Sequence, residues 1–135
     1  MAFVVDASVT ASWMLPDEEN PLAEFVQSLL VDENAVVPFV WWFEVRNILV
    51  IAERRQRLTR SDADRLIATL NTYPISLDVE PGEGDTLQIA RDHALTYYDA
   101  SYVELAKRRG LPLATLDGRM AAAARDAGIN LVVAV

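Results

Sequence analysis

The regular alternation of short apolar runs with longer helical segments is the feature that most constrains the fold of this chain. The short runs are rich in branched residues, and they predict strands at residues 3–6, 35–37, 75–79, 113–116 and 131–134. The longer segments predict helices at residues 7–15, 21–31, 39–57, 61–71, 85–95, 98–109 and 119–127. Such alternation favours an α/β fold, with a mostly parallel central sheet and helices on both of its faces.

Length and composition indicate one domain without a membrane span. The 135 residues fit a single domain, taken as residues 1–135, and the apolar fraction of 52% is enough for a core. No apolar run approaches the length that crosses a bilayer, and the first residues lack the basic segment of a secretory signal. The absence of cysteine excludes disulfides and thiolate metal sites. We therefore expect a cytoplasmic protein.

The charge of the chain argues against a general affinity for nucleic acid. There are 20 acidic and 12 basic residues, which give a net charge of −8, whereas such affinity rests on neutralising phosphates. A nuclease is not excluded, because bound divalent cations reverse the sign of an acidic pocket. Basic residues cluster at residues 54–60 and 107–109, although each cluster alone is more simply explained as a solvated helix end.

Two acids are predicted on apolar faces of helices. In the helix at residues 39–57, Glu44 shares a stripe with Val40, Trp41, Ile48 and Ile51. An acid on an inward face needs a cation, a hydrogen-bond network or a function. Glu44 lies in the middle of its helix, so capping does not explain it.

Asp99 lies on a similar stripe in the helix at residues 98–109, together with Val103 and Ala106. It is close to the start of that helix, where the helix dipole favours an anion. Capping therefore explains Asp99 as well as a functional role does.

A second pair of acids closes two predicted strands. Asp6 ends the strand at residues 3–6, Asp117 follows the strand at residues 113–116, and a helix comes after each. Taken alone, each acid is best explained as a helix N-cap. In a parallel sheet, however, ligands bind at the carboxyl ends of the strands, where the strand order reverses. If the four acids meet, they cannot all stay ionised without a cation, and oxygen ligands alone suit Mg²⁺ or Mn²⁺.

Four short segments of the chain carry a resemblance to a known family. They are Val4-Val5-Asp6-Ala7-Ser8, Trp42-Phe43-Glu44-Val45-Arg46-Asn47-Ile48-Leu49, Tyr98-Asp99-Ala100-Ser101-Tyr102 and Ala114-Thr115-Leu116-Asp117. In order and spacing this set resembles the PIN-domain ribonucleases, and most closely the VapC-type toxins of toxin–antitoxin pairs.

The resemblance implies a fold, a site and partners. It implies a PIN-like domain in which Asp6, Glu44, Asp99 and Asp117 are catalytic and coordinate Mg²⁺ or Mn²⁺. It also implies supporting roles for Ser8, Asn47 and Thr115. We expect from it an endonucleolytic ribonuclease that forms a homodimer and is inhibited by a small antitoxin protein. Trp41, Trp42 and the apolar helix faces between Ala7 and Ile51 would form an exposed groove for that partner.

Acids at strand ends leave three alternatives to a nuclease. A receiver-like signalling domain needs an acidic pair near the first strand, and an aspartyl phosphatase needs an acid two residues after Asp6, where Ser8 stands. A non-catalytic module whose acids bind a metal only for structure is the main alternative. His93 is the only histidine, so a zinc site is not expected and a surface role suits it better than general-base catalysis.

Overall fold

Strands and helices alternate along the chain much as the sequence pattern predicts. A computed structural model describes the backbone of residues 1–80 and 83–135, and the side chains of residues 1–80 and 85–135. The strands in this part of the chain are β1 (Ala2–Val5), β2 (Asn34–Pro38), β3 (Ile75–Asp78) and β4 (Leu113–Ala114). The helices are α1 (Ala7–Met14), α2 (Pro21–Leu29), α3 (Phe39–Arg54), α4 (Arg60–Leu70), α5 (Glu83–His93), α6 (Tyr97–Arg109) and α7 (Gly118–Asp126).

The four strands form one parallel sheet in the order β3-β2-β1-β4. The chain first moves outward from β1 through β2 to β3, and then returns to add β4 on the other side of β1. The strand order therefore reverses between β1 and β4, and a crevice is expected at their carboxyl ends. The register pairs Val4 with Leu113 and Val5 with Ala114, so the residues that follow these strands lie next to each other.

Both faces of the sheet are covered. Phe3, Val4 and Val5 of β1 are at most 1% exposed, and successive residues of a strand point to opposite faces. A strand buried on both sides is typical of a parallel sheet between two layers of helices. The predicted α/β class is therefore confirmed.

Local signals in the sequence explain where several helices begin and end. Asn20 caps α2 by accepting hydrogen bonds from the backbone N–H groups of Leu22 and Ala23, at 2.9 and 3.3 Å, and Pro21 takes the first helical position. Helix α6 ends at Gly110, whose φ of 63° is the left-handed conformation that favours glycine.

The predicted fifth strand at residues 131–134 was wrong. Only Leu131 pairs, through a single parallel bridge to Leu113, and Val133 and Val135 are exposed. Strand β4 is itself only two residues long, so it offers few backbone partners on which a further strand could form. An apolar pattern at the end of a chain does not show whether such a partner exists.

The predicted apolar stripe of α3 was only partly right. The buried residues of this helix are Trp41, Val45, Leu49 and Ala52. Of the predicted stripe, Trp41 is buried and Val40 and Ile48 pack against the core, whereas Ile51 is exposed. Glu44 lies at the edge of this face and is half-buried. The sequence misled here because α3 also carries exposed apolar side chains, namely Phe39, Trp42, Phe43, Val50 and Ile51.

No helix in the described residues is long and apolar enough to span a membrane.

Candidate active site

Asp6 directly follows β1, at the point where the strand order reverses between β1 and β4. Its side chain is 2% exposed in spite of its charge. It caps α1 by accepting a hydrogen bond from the backbone N–H of Val9 at 3.0 Å. Its own N–H donates to the carbonyl of Ala114 at 3.1 Å, which brings the end of β4 against it.

Two hydroxyl groups hold the carboxylate of Asp6. Ser8 donates to Oδ1 at 2.7 Å, and Thr115 donates to Oδ2. The same hydroxyls accept backbone hydrogen bonds, Ser8 from Leu116 at 3.2 Å and Thr115 from Asp117 at 3.0 Å. Asp6 is thereby tied to the loop that carries Asp117.

The other three acids come from three different helices. Asp117 caps α7 by accepting from the N–H of Met120 at 3.0 Å. Asp99 lies in the first turn of α6, where its N–H donates to the hydroxyl of Thr96 at 3.0 Å. Glu44 projects from α3 and is half-buried. Helix starts thus place three of the four acids, including Asp6, where the helix dipole favours a negative charge.

Repulsion between like charges acts in four pairs of these acids, and these pairs link the four acids in a ring. Burial raises the pKa of Asp6, and the charge of Asp117 adds to this effect. Burial likewise raises the pKa of Glu44, with further repulsion from Asp99 and Asp6. The pKa of Asp99 is raised by burial and by the charge of Asp117. Each acid therefore interacts with two others, and the structure brings all four predicted acids together.

Tyr102 is a site residue that sequence reasoning missed. Its hydroxyl donates to Oε1 of Glu44 at 2.6 Å, and its side chain is 1% exposed. Burial and the charge of Glu44 raise the pKa of Tyr102 well above the usual range, so its hydroxyl keeps its proton and is the donor. The available signal was its spacing, because Tyr102 follows Asp99 by three residues and so shares its side of the helix.

A second buried chain of hydrogen bonds joins α3 to Asp6. The indole N–H of Trp41 donates to the hydroxyl of Thr10 at 3.0 Å, and that hydroxyl donates to the carbonyl oxygen of Asp6 at 2.9 Å. Trp41 is 4% exposed, so the prediction that it lines an exposed groove was wrong; Trp42 is partly exposed. Trp41 instead fixes the helix that carries Glu44 relative to β1.

Two other polar residues lie apart from these contacts. Asn47 is exposed on α3, and its side chain forms no hydrogen bond with any residue that the structure describes. His93 lies on α5 with Nδ1 3.8 Å from a carboxylate oxygen of Asp126. Neither side chain contacts the four acids through a hydrogen bond or ion pair in the described part of the chain.

The donor set consists of oxygen atoms, which suits a hard divalent cation. Two of the carboxylates accept hydrogen bonds from protein donors: Asp6 from Ser8, Val9 and Thr115, and Glu44 from Tyr102. Within residues 1–80 and 85–135, no three His, Asp or Glu side chains stand in an arrangement that could hold a metal ion as they are. The chemistry of these oxygen donors fits such an ion.

The chain is an α/β protein with a parallel sheet, and its four acids lie where the strand order reverses. The family model of the PIN domain matches residues 3–126. The chain belongs to the PIN-domain family, and the resemblance seen in the sequence motifs is confirmed.

Individual relatives agree with this assignment. The chain is 32% identical over 124 residues to Ribonuclease VapC3 of Pyrobaculum aerophilum. The matched region covers 90% of this chain and 93% of that protein. Among solved structures it is similar to PAE2754 from the same organism, with a TM-score of 0.72, 22% identity, and coverage of 91% of this chain and 84% of that one. It is also similar to a chain of a toxin–antitoxin complex from Klebsiella pneumoniae, with a TM-score of 0.58, 16% identity, and coverage of 85% and 86%.

Proposed function

We propose that this protein is a ribonuclease that depends on Mg²⁺ or Mn²⁺ and acts as the toxin of a toxin–antitoxin pair. The observation that carries the proposal is the ring formed by Asp6, Glu44, Asp99 and Asp117 in a chain of the PIN-domain family. A relative named as a ribonuclease supports the choice of RNA as substrate. Cleavage within the RNA chain, rather than from an end, is the mode that we expect.

The chain's own residues would hold the cation through these four carboxylates. Repulsion within the ring disfavours the fully ionised state, and a bound divalent cation would relieve it. When bound, such an ion activates water and stabilises charge on a phosphodiester. Ser8 and Thr115 would keep Asp6 oriented through their hydrogen bonds to its two oxygens.

The RNA would be bound by arginines that are not already paired. Arg57 forms ion pairs with Asp17 and Glu18, so its charge is already balanced and adds little to the binding of RNA. Arg54 and Arg55 are exposed and form no ion pair with the described residues. Because the protein carries a net charge of −8, we expect its affinity for RNA to be modest.

A non-catalytic module is the second candidate. Two observations favour it. Asp6 and Glu44 accept hydrogen bonds from protein donors, and no group of three acids among the described side chains is arranged to hold a metal ion. Such a module would keep the hydrogen-bond network and lack turnover.

An RNA cleavage assay separates the two candidates. The parent should cleave structured RNA in Mg²⁺ or Mn²⁺ and stop in EDTA. Glu44→Gln should lose cleavage, whereas Glu53→Gln, an exposed acid on the same helix, should retain it. Cleavage that persists in EDTA would refute the metal dependence. Cleavage that survives equally in both variants would point to a contaminating nuclease, and its absence from the parent would favour the module.

We also propose a small antitoxin as a partner, and a homodimer in the cytoplasm. The antitoxin is supported by the likeness to a chain from a toxin–antitoxin complex. Co-expression with the protein encoded next to this one should restore growth that the protein alone suppresses. The molar mass measured by light scattering should correspond to two chains, and a single-chain mass would contradict the dimer.

A further inference from the structure

Tyr102 and Glu44 form a partly buried hydrogen-bonded pair between two helices. The phenol lies on α6 and the carboxylate on α3, and the bond between Tyr102 Oη and Glu44 Oε1 is 2.6 Å long. A hydrogen bond to an ionised acceptor is stronger than a neutral one. The other oxygen of Glu44, Oε2, accepts no hydrogen bond from the described residues. One oxygen of this acid is thus fixed and the other is available.

Glu44 needs such a partner more than the other acids do. Asp6 and Asp117 are fixed by backbone N–H groups at helix starts, whereas Glu44 has a longer side chain and lies within α3. A glutamate side chain has several rotamers to lose on being fixed. Tyr102 is the only residue in the described part of the chain that forms a hydrogen bond with its carboxylate.

We propose that Tyr102 is a positioning residue that holds the carboxylate of Glu44 beside Asp6 and Asp99, leaving Oε2 for a divalent cation. This inference rests on the proposed function, because it gives Tyr102 a role only if the acids bind a metal. Partners that orient a ligand from outside the coordination shell change metal affinity by about 10- to 100-fold when they are removed. The effect should therefore be read in the affinity for the metal.

The test is a Mn²⁺ titration by calorimetry without RNA. Tyr102→Phe keeps the ring and removes the hydroxyl, and it should raise the Kd for Mn²⁺ about tenfold or more. Tyr97→Phe is the matched control, since Tyr97 is exposed on the same helix, and its Kd should equal that of the parent. In a Glu44→Gln background, Tyr102→Phe should have no further effect, because the tyrosine acts through Glu44.

Each outcome has a separate meaning. If the parent does not bind Mn²⁺, the proposed function fails, and the role of Tyr102 fails with it. If the parent binds and Tyr102→Phe binds equally well, only the positioning role is overturned. An equal loss in the Glu44→Gln background would also overturn it. Loss of folding in Tyr102→Phe would show that the bond is structural, and would count against the positioning role as well.

Discussion

The hydroxyl of Thr115 donates a hydrogen bond to the carboxylate of Asp6 across 109 residues of sequence. Asp6 follows β1 and Thr115 follows β4, so the bond joins the ends of neighbouring strands at the point where the strand order reverses. Of the hydrogen bonds that counteract the effect of burial on the pKa of Asp6, it has the largest effect. This contact therefore helps to hold together the ends of β1 and β4.

Replacing Thr115 with valine should destabilise the protein. Thr115→Val keeps the shape and removes the donor, so a buried carboxylate loses a partner, at a cost of about 1–3 kcal/mol. Urea unfolding in chelator measures the change, and Thr115→Ser, which keeps the hydroxyl, should lose much less. Equal stability of Thr115→Val and the parent would mean that water or another group replaces the hydroxyl.

A second prediction concerns the anchor at the far end of α6. Arg108 bonds to Asp78 at 2.6 Å and to Glu104 at 2.7 Å, and both acids are largely buried. Arg108→Ala leaves two buried charges without this cation and should cost about 3 kcal/mol. Arg109→Ala is the control, because Arg109 is exposed and forms no ion pair with the described residues. Similar melting temperatures for the two variants would show that the network contributes little.

The sequence was sufficient to predict most of the fold. Runs such as Phe3-Val4-Val5 are buried on both faces, and a pattern without polar interruption indicates such strands directly. The strand at residues 131–134 failed because pairing depends on the neighbour, and β4 offers only Leu113 to it. Which strands are adjacent, and hence that Asp6 meets Asp117, is a property of the topology that the sequence alone did not establish.

The site was predicted less completely than the fold. Its acids stood out because charge at strand ends and on helix faces is unusual. The residues that orient them did not stand out, since Trp41, Thr10 and Tyr102 are ordinary core residues in the sequence. Their role depends on hydrogen bonds between distant elements, such as the bond from Trp41 to Thr10, and these require the folded structure.

The pH dependence of stability should reveal the raised pKa of Asp6. Burial raises its pKa in the folded state above the unfolded value of about 4. At a pH between these two pKa values, the folded protein therefore binds more protons than the unfolded protein does. The metal-free parent should therefore lose stability as the pH rises through this window. Asp6→Asn cannot titrate there, so its advantage over the parent should be small at low pH and grow towards neutrality. Urea unfolding of both proteins in chelator across this range measures the difference, and an advantage that shrinks with rising pH would contradict the raised pKa.

The central claim is that Asp6 belongs to a metal site shared with Glu44, Asp99 and Asp117. Asp6→Asn removes one charge of the ring and keeps an acceptor for the cap of α1. It should make the metal-free protein more stable, by on the order of 1 kcal/mol, since repulsion between partly solvated like charges is relieved. It should also abolish cleavage of RNA.

The most direct test is a set of thermal melts of the parent and Asp6→Asn, each in chelator and in excess Mg²⁺. Asp64→Asn, which changes an exposed acid on α4, serves as the control and should behave as the parent does. We predict that Asp6→Asn melts above the parent in chelator, and that Mg²⁺ raises the melting temperature of the parent much more than that of the variant. A variant that is no more stable than the parent in chelator, together with equal shifts of both proteins in Mg²⁺, would contradict the shared metal site.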